Sequence, residues 1–303
     1  MNIIETKNLN YQFNKKEKIL KSINLQVPYE SVYGFLGPNG AGKTTTLRLL
    51  LGLLKAQEGI IQIFGKDLKS NRIEILKNVG SLIEQPSLYG HLTGKENLDV
   101  YRHIFALSNN RVKEVLALVG LSAAANKKAK SYSLGMKQRL SIGVALLHSP
   151  KLLILDEPTN GLDPNGIIEM RALIKKLNTE LGVTIIISSH LLTEIEKVVT
   201  HIGIINYGEM LFQGSLNELN KLKNKQASLI INCNNNEAAM QLPAIILNNA
   251  SLQNGKIVIA QANNIITAQI ITQLVNNNLQ VYEASMQGFD LEKIFLQITN
   301  KQN

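Results

Sequence analysis

Two short runs hold residues that could do chemistry together. At 37–45 the chain reads GPNGAGKTT, and at 151–159 it reads KLLILDEPT. In the first, Gly37, Gly40 and Gly42 let the backbone curl so that successive N–H groups point inward. Pro38, Asn39, Ala41 and Thr45 complete the run. Lys43 can reach the β- and γ-phosphates of a nucleotide, and the Thr44 hydroxyl suits a magnesium ion. In the second run, apolar residues bury a strand and Asp156 emerges at its end, where it can hold magnesium directly or through water. Glu157, one residue on, can orient or deprotonate an attacking water. A glycine-rich turn with a chance Lys-Thr is the bland alternative. The VYGFL strand before it and the TTLRLLLGL helix after it are the context that a phosphate loop requires.

A third run, SYSLGMKQRLSI at 131–142, places Ser133 and Gly135 at the start of a helix, a second end suited to phosphate. The two ends lie about ninety residues apart in one chain. A head-to-tail pair, each copy capping the ATP held by the other, solves that geometry. A fourth stretch, SLIEQPSLYGHLT, sets Glu84 and Gln85 at the exit of an apolar run. Alone, it reads as a solvated loop.

These residues need elements to position them. Residues 1–215 alternate strand patterns at 32–36, 79–83, 151–155, 183–188 and 201–206 with helical patterns at 43–53, 94–105, 111–119, 135–147, 166–180 and 191–198. Between 88 and 149 there is little strand signal, so a helical insert is expected inside an α/β domain. Past 216, Asn and Gln rise in NCNNNE and VNNN. Short strands (228–232, 256–260, 279–284) then alternate with helices (265–275, 291–298). The expected organisation is a nucleotide-binding domain over 1–218, with its helical subdomain at about 88–149, and a small α+β domain over 219–303.

Composition adds exclusions. With 303 residues the chain can bury a sizeable core. Its single cysteine, Cys233, excludes an intrachain disulfide and a cysteine-rich zinc site. The start, MNIIETKNLN, has no apolar segment of the signal-peptide kind. No apolar run approaches the roughly 18 residues needed to span a bilayer. The net charge of +9 is spread, with KNLNYQFNKKEKILK and NKKAK its densest groups.

With the motifs in this order, the sequence resembles the ATP-binding subunits of ABC transporters over residues 1 to about 215. GPNGAGKTT looks like the Walker A loop and LLILDE like the Walker B strand. YSLGM stands at the signature, keeping Ser133 and Gly135 while Leu134 and Met136 depart from its consensus. NGLD at 160–163 resembles the loop that touches the opposite subunit through Asp163. ISSH at 187–190 resembles the switch motif, which implies that His190 contacts the γ-phosphate. Phe13 stands where the family stacks an aromatic on adenine, with Tyr11 as a second candidate. The family's Q-loop falls on the fourth stretch. Alignment puts Glu84 at the position that reaches magnesium, and Gln85 if the register is off by one. A Glu there, followed by LTGKENL, looks like the branch of bacitracin-resistance and lantibiotic-immunity exporters.

The resemblance implies a P-loop NTPase fold of ABC type, with ATP and Mg2+ as cofactors. It implies a polytopic membrane permease and a second copy of the chain as partners, and no nucleic acid. It places the subunit in the cytoplasm, peripheral on the inner face of the membrane, powering export. A soluble ABC-type ATPase of translation or DNA repair, or a non-transport regulatory module, is the alternative. One cassette per chain speaks against the first, and intact Lys43, Asp156, Glu157 and His190 speak against the second.

Overall fold

The structure, a computed structural model, describes residues 1–14, 17–84, 87–225, 228–260 and 262–287. Gln85 and the helix expected over 291–298 lie outside the described residues. The chain divides into two compact units, Met1–Leu216 and Asn217–Asn303.

The first unit is built on a six-stranded sheet. Its spatial order is Glu209–Ser215, His201–Asn206, Val32–Leu36, Thr184–Ser189, Leu152–Asp156, Val79–Leu82. The last five run parallel, and Glu209–Ser215 pairs antiparallel at the edge. VYGFL, LLILD and TIIISS are buried at every position. Such unbroken apolar runs form where both faces of a parallel sheet are covered. The register sets Leu36 beside Ser189, Asp156 beside Ser188 and Leu82 beside Leu155. Four strands therefore finish at one level, and the segments leaving them share one edge.

A second, antiparallel sheet joins Asn2–Asn14 to Glu17–Ile23, Gln26–Pro28 and Glu58–Ile63, which continues into Lys66–Asp67. Its inward residues Ile4, Leu9, Leu20, Ile23 and Ile63 share a core with Phe35, Leu47 and Leu50 of the phosphate-loop region.

Among the described residues, the chain between Leu82 and Leu152 holds the helices Gly94–Ile104, Asn109–Leu118 and Leu134–Leu146, and no strand. The first begins with a capping box: Glu96 N–H donates to Thr93 Oγ1 at 3.1 Å, and Thr93 N–H donates to Glu96 Oε2 at 2.7 Å. Leu98, Val112, Val115, Leu116 and Leu140 are buried in this region. At the helix contact a Cβ on Gly143 would stand 3.2 Å from Val115 and 3.6 Å from Leu98.

The second unit carries a four-stranded antiparallel sheet, ordered Ser251–Gln253, Lys256–Ile259, Ser228–Cys233, Val281–Gln287. Leu229, Ile231 and Cys233 alternate into a core of their own with Ile257, Ile259, Ile270 and Leu274, the last two from the helix Asn264–Asn276. Val281–Gln287 starts two residues later than the strand expected from sequence, because Asn277–Gln280 form the turn out of that helix.

Candidate nucleotide site

The segment after Val32–Leu36 turns sharply before the helix Lys43–Leu50 begins. Gly42 caps that helix at φ 108°, a conformation that L side chains rarely adopt. Gly37 is required for a different reason: a Cβ there would stand 2.3 Å from the Ile205 carbonyl oxygen. The helix thus starts at the carboxyl edge of the sheet, where its N–H groups and dipole favour an anion.

Lys43 is only 6% exposed. Its Nζ donates to the Gly37 carbonyl at 2.7 Å and lies 3.3 Å from Glu157 Oε1. Glu157 is in the left-handed region at φ 48° and bridges two groups. Its Oε1 faces Lys43, and its Oε2 is 2.8 Å from His190 Nδ1. Its own N–H donates to Ser188 Oγ at 2.8 Å. Asp156 accepts from Thr44 Oγ1 at 2.8 Å through one oxygen and from Ser188 Oγ through the other.

Ser188 was not singled out from the sequence, although it sits inside the ISSH run. It earns its place through register, being the direct neighbour of Asp156 across the strands.

A cleft of about 520 Å3 opens over these groups. It is lined by Pro38, Asn39, Gly40, Gly42, Lys43, Thr44 and Thr45 of the phosphate loop, by Glu157, Asn160 and His190, and by Phe13 and Ile19. Phe13 is 57% exposed and meets Tyr11 edge-on at 5.1 Å, whereas Tyr11 is buried in the core. Of the two aromatics, Phe13 is the one with a free face.

Ser133, Gly135 and Asp163 do not line this cleft. Ser133 caps the helix Leu134–Leu146, accepting from Met136 N–H at 3.2 Å. Asp163 caps Pro164–Leu181, accepting from Gly166 N–H at 3.0 Å. Glu84 is also outside the lining. It stands at φ 65° and pairs with Arg48 from the last turn of the phosphate-loop helix. That partner could not be read from the local motif.

Thr44 and Asp156 offer two oxygens side by side, the donor set of a small hard cation that takes its remaining ligands from water and phosphates. No cluster of three acidic or imidazole groups that could hold a metal occurs among the described residues.

The family model described as ABC transporter matches residues 20–160. The bacitracin transport ATP-binding protein BcrA of Bacillus licheniformis is 40% identical over 98% of this chain and 97% of its own. The chain belongs to the ABC transporter ATP-binding proteins. The lantibiotic transport ATP-binding protein SrtF of Streptococcus pyogenes is 41% identical over 74% of this chain and 97% of its own. Among solved structures, cbiO1 of Clostridium perfringens, part of the ABC transporter complex cbiONQ, superposes with a TM-score of 0.67 at 28% identity. The match covers 73% of this chain and 91% of that one. As an ABC ATP-binding protein of the P-loop NTPase fold, this chain binds nucleotide and hydrolyses ATP. Neither the translation and repair reading nor the regulatory one is favoured by these relatives. Among the described residues no helix is long and apolar enough to cross a membrane.

Proposed function

We propose that this ABC ATPase powers export of a peptide antibiotic of the bacitracin or lantibiotic kind. It would do so on the inner face of the membrane, through a separate polytopic permease and with a second copy of itself. The observation that carries the reading is the 40% identity to BcrA, which runs through both units rather than the cassette alone.

In this reading ATP enters the cleft with its adenine on the free face of Phe13 and its phosphates on the turn Gly37–Gly42. Lys43 leaves Glu157 for the β- and γ-phosphates. Thr44 and Asp156 would hold Mg2+, which when bound neutralises charge on the phosphate oxygens. Glu157, released from Lys43 and still aligned by His190, takes a proton from the water. The water oxygen bonds to the γ-phosphorus as the bond to the β–γ bridging oxygen breaks. Ser133, Gly135 and Asp163, outside their own cleft, close the partner copy's site head-to-tail.

The test is to express the chain with a candidate permease in a sensitive bacterium. Survival in bacitracin and in a lantibiotic is then measured for wild type and Glu157→Gln. Resistance to either that vanishes in the variant is expected. Unchanged sensitivity to both, with ATP hydrolysis intact in the purified complex, would overturn the export reading.

A further inference from the structure

The NKKAK run has no role in nucleotide chemistry, yet the fold assembles it into a surface. Residues 90–95 and 125–130 pair along their backbones. Lys130 N–H donates to Gly90 O at 3.0 Å, Ala129 N–H to Leu92 O at 2.8 Å, Gly94 N–H to Lys127 O at 3.1 Å and Lys95 N–H to Ala125 O at 2.9 Å. Thr93 and Lys128 form an antiparallel bridge between them. A Cβ on Gly90 would make ordinary contact with Lys130 at 3.5 Å, so the two segments lie side by side.

The pairing gathers Lys95, Lys127, Lys128 and Lys130 from two segments, and all four are exposed. None forms an ion pair among the described residues. The acid beside them, Glu96, is already engaged in its capping box. Its hydrogen bonds from Thr93, with the nearby charges of Lys128 and His91, hold its carboxyl below the ordinary carboxylate range. At the same rim, Tyr89 is 48% exposed and stands edge-on to His91 at 6.1 Å.

We propose that this patch, Lys95, Lys127, Lys128 and Lys130 with Tyr89 at its edge, binds the anionic headgroup surface of a lipid bilayer. Four lysines against the one carboxylate of Glu96 leave the surface positive, and its attraction for lipid phosphates acts within about a Debye length. A half-exposed tyrosine has the apolar body and polar tip that settle at the headgroup level. The surface deepens the membrane placement proposed above and rests on it.

The test is co-sedimentation of the full chain with vesicles of phosphatidylcholine alone and of phosphatidylcholine with phosphatidylglycerol. Three proteins are compared: wild type, a patch variant (Lys95→Gln, Lys127→Gln, Lys128→Gln, Lys130→Gln), and a scattered variant of equal charge (Lys7→Gln, Lys69→Gln, Lys113→Gln, Lys175→Gln). Wild type should bind the anionic vesicles alone, and high salt should release it. The patch variant should bind at least tenfold more weakly, while the scattered variant keeps most of its affinity. ATP turnover of the same preparations reports the nucleotide site separately and should be equal in all three. If wild type ignores anionic vesicles, as when an acidic protein segment is the true partner, the proposal fails. It also fails if the scattered variant loses as much as the patch variant, because net charge alone then explains binding.

Discussion

Lys43 Nζ and Glu157 Oε1 stand 3.3 Å apart, so the cation of the phosphate loop and the carboxylate just past the strand Leu152–Asp156 neutralise each other. Triphosphate must compete with Glu157 for that lysine. Lys43→Ala removes a charge-assisted contact of about 1.5–3 kcal/mol, a loss on the order of tenfold to a hundredfold in ATP affinity. Titration with a fluorescent nucleotide measures it. Wild-type affinity in the variant would remove Lys43 from the phosphate site.

Glu157→Gln keeps the bridge between Lys43 and His190 in outline but removes the base. ATP should bind at least as tightly as in wild type, because the competing charge is gone, while turnover falls by about two orders of magnitude or more. Size-exclusion chromatography with ATP and magnesium should then show a dimer. A variant that stays monomeric at high concentration in ATP would count against the head-to-tail arrangement.

Glu84 and Arg48 form an exposed pair, which contributes about 0–1 kcal/mol to stability. Arg48→Ala should therefore leave Tm nearly unchanged. Glu84→Gln keeps the shape and removes the charge, so basal hydrolysis should change only a few-fold. Glu84→Ala should harm resistance in cells more than basal hydrolysis. Both activities at wild-type level in Glu84→Ala, with both lost in Gln85→Ala, would move the loop assignment by one residue.

Gly37→Ala should destabilise the protein, because its Cβ would press on backbone, the Ile205 carbonyl, which cannot swing aside. A cost of about 1–3 kcal/mol is expected, read as a lower Tm together with weaker nucleotide binding. Gly90→Ala, which meets only ordinary contacts, should stay within about 0.5 kcal/mol of wild type. Equal effects of the two would show that the Ile205 contact is not the cause.

His148 is pressed between Phe105, stacked at 4.9 Å, and the Val79 carbonyl, 3.1 Å from Nε2. Burial holds its pKa below the usual 6.5, against the opposing pull of the Val79 carbonyl, and the charge of Arg111 adds to the depression. The unfolded chain therefore takes up the proton first. Stability tied to His148 is complete above about pH 6.5 and falls as the pH drops toward the lower folded value. Urea midpoints measured from neutral to mildly acid pH should decline less in His148→Phe than in wild type. Parallel declines would assign the acid sensitivity elsewhere.

Much of the site was legible because some motifs are themselves moulds. The spacing of Gly37, Gly40, Gly42, Lys43 and Thr44 dictates a backbone path, and LLILD announces a strand buried on both faces. The five parallel strands of the main sheet were legible for the same reason, whereas Glu58–Ile63 and Lys66–Asp67 were not. What could not be read was set by register between distant segments. Ser188 reaches Asp156 only because two strands align, and Arg48 meets Glu84 across a fold that neither local pattern describes. The helix Leu68–Leu76 escaped notice because only Leu68 and Ile75 are buried, too few to print a periodic face. The strands before residue 32 were obscured by irregular pairing, with register shifts at Leu9–Tyr11, Tyr11–Gln12 and Gln12–Asn14.

Among the described residues, the core of the second unit gathers Leu229, Ile231, Ile257, Ile259, Ile270 and Leu274, all past residue 217. A segment that builds a core of its own is one that recombination can gain, lose or exchange as a piece. The stretch around residue 217 is thus a seam along which lineages of this family can diversify, trading one appended module for another while the engine stays the same.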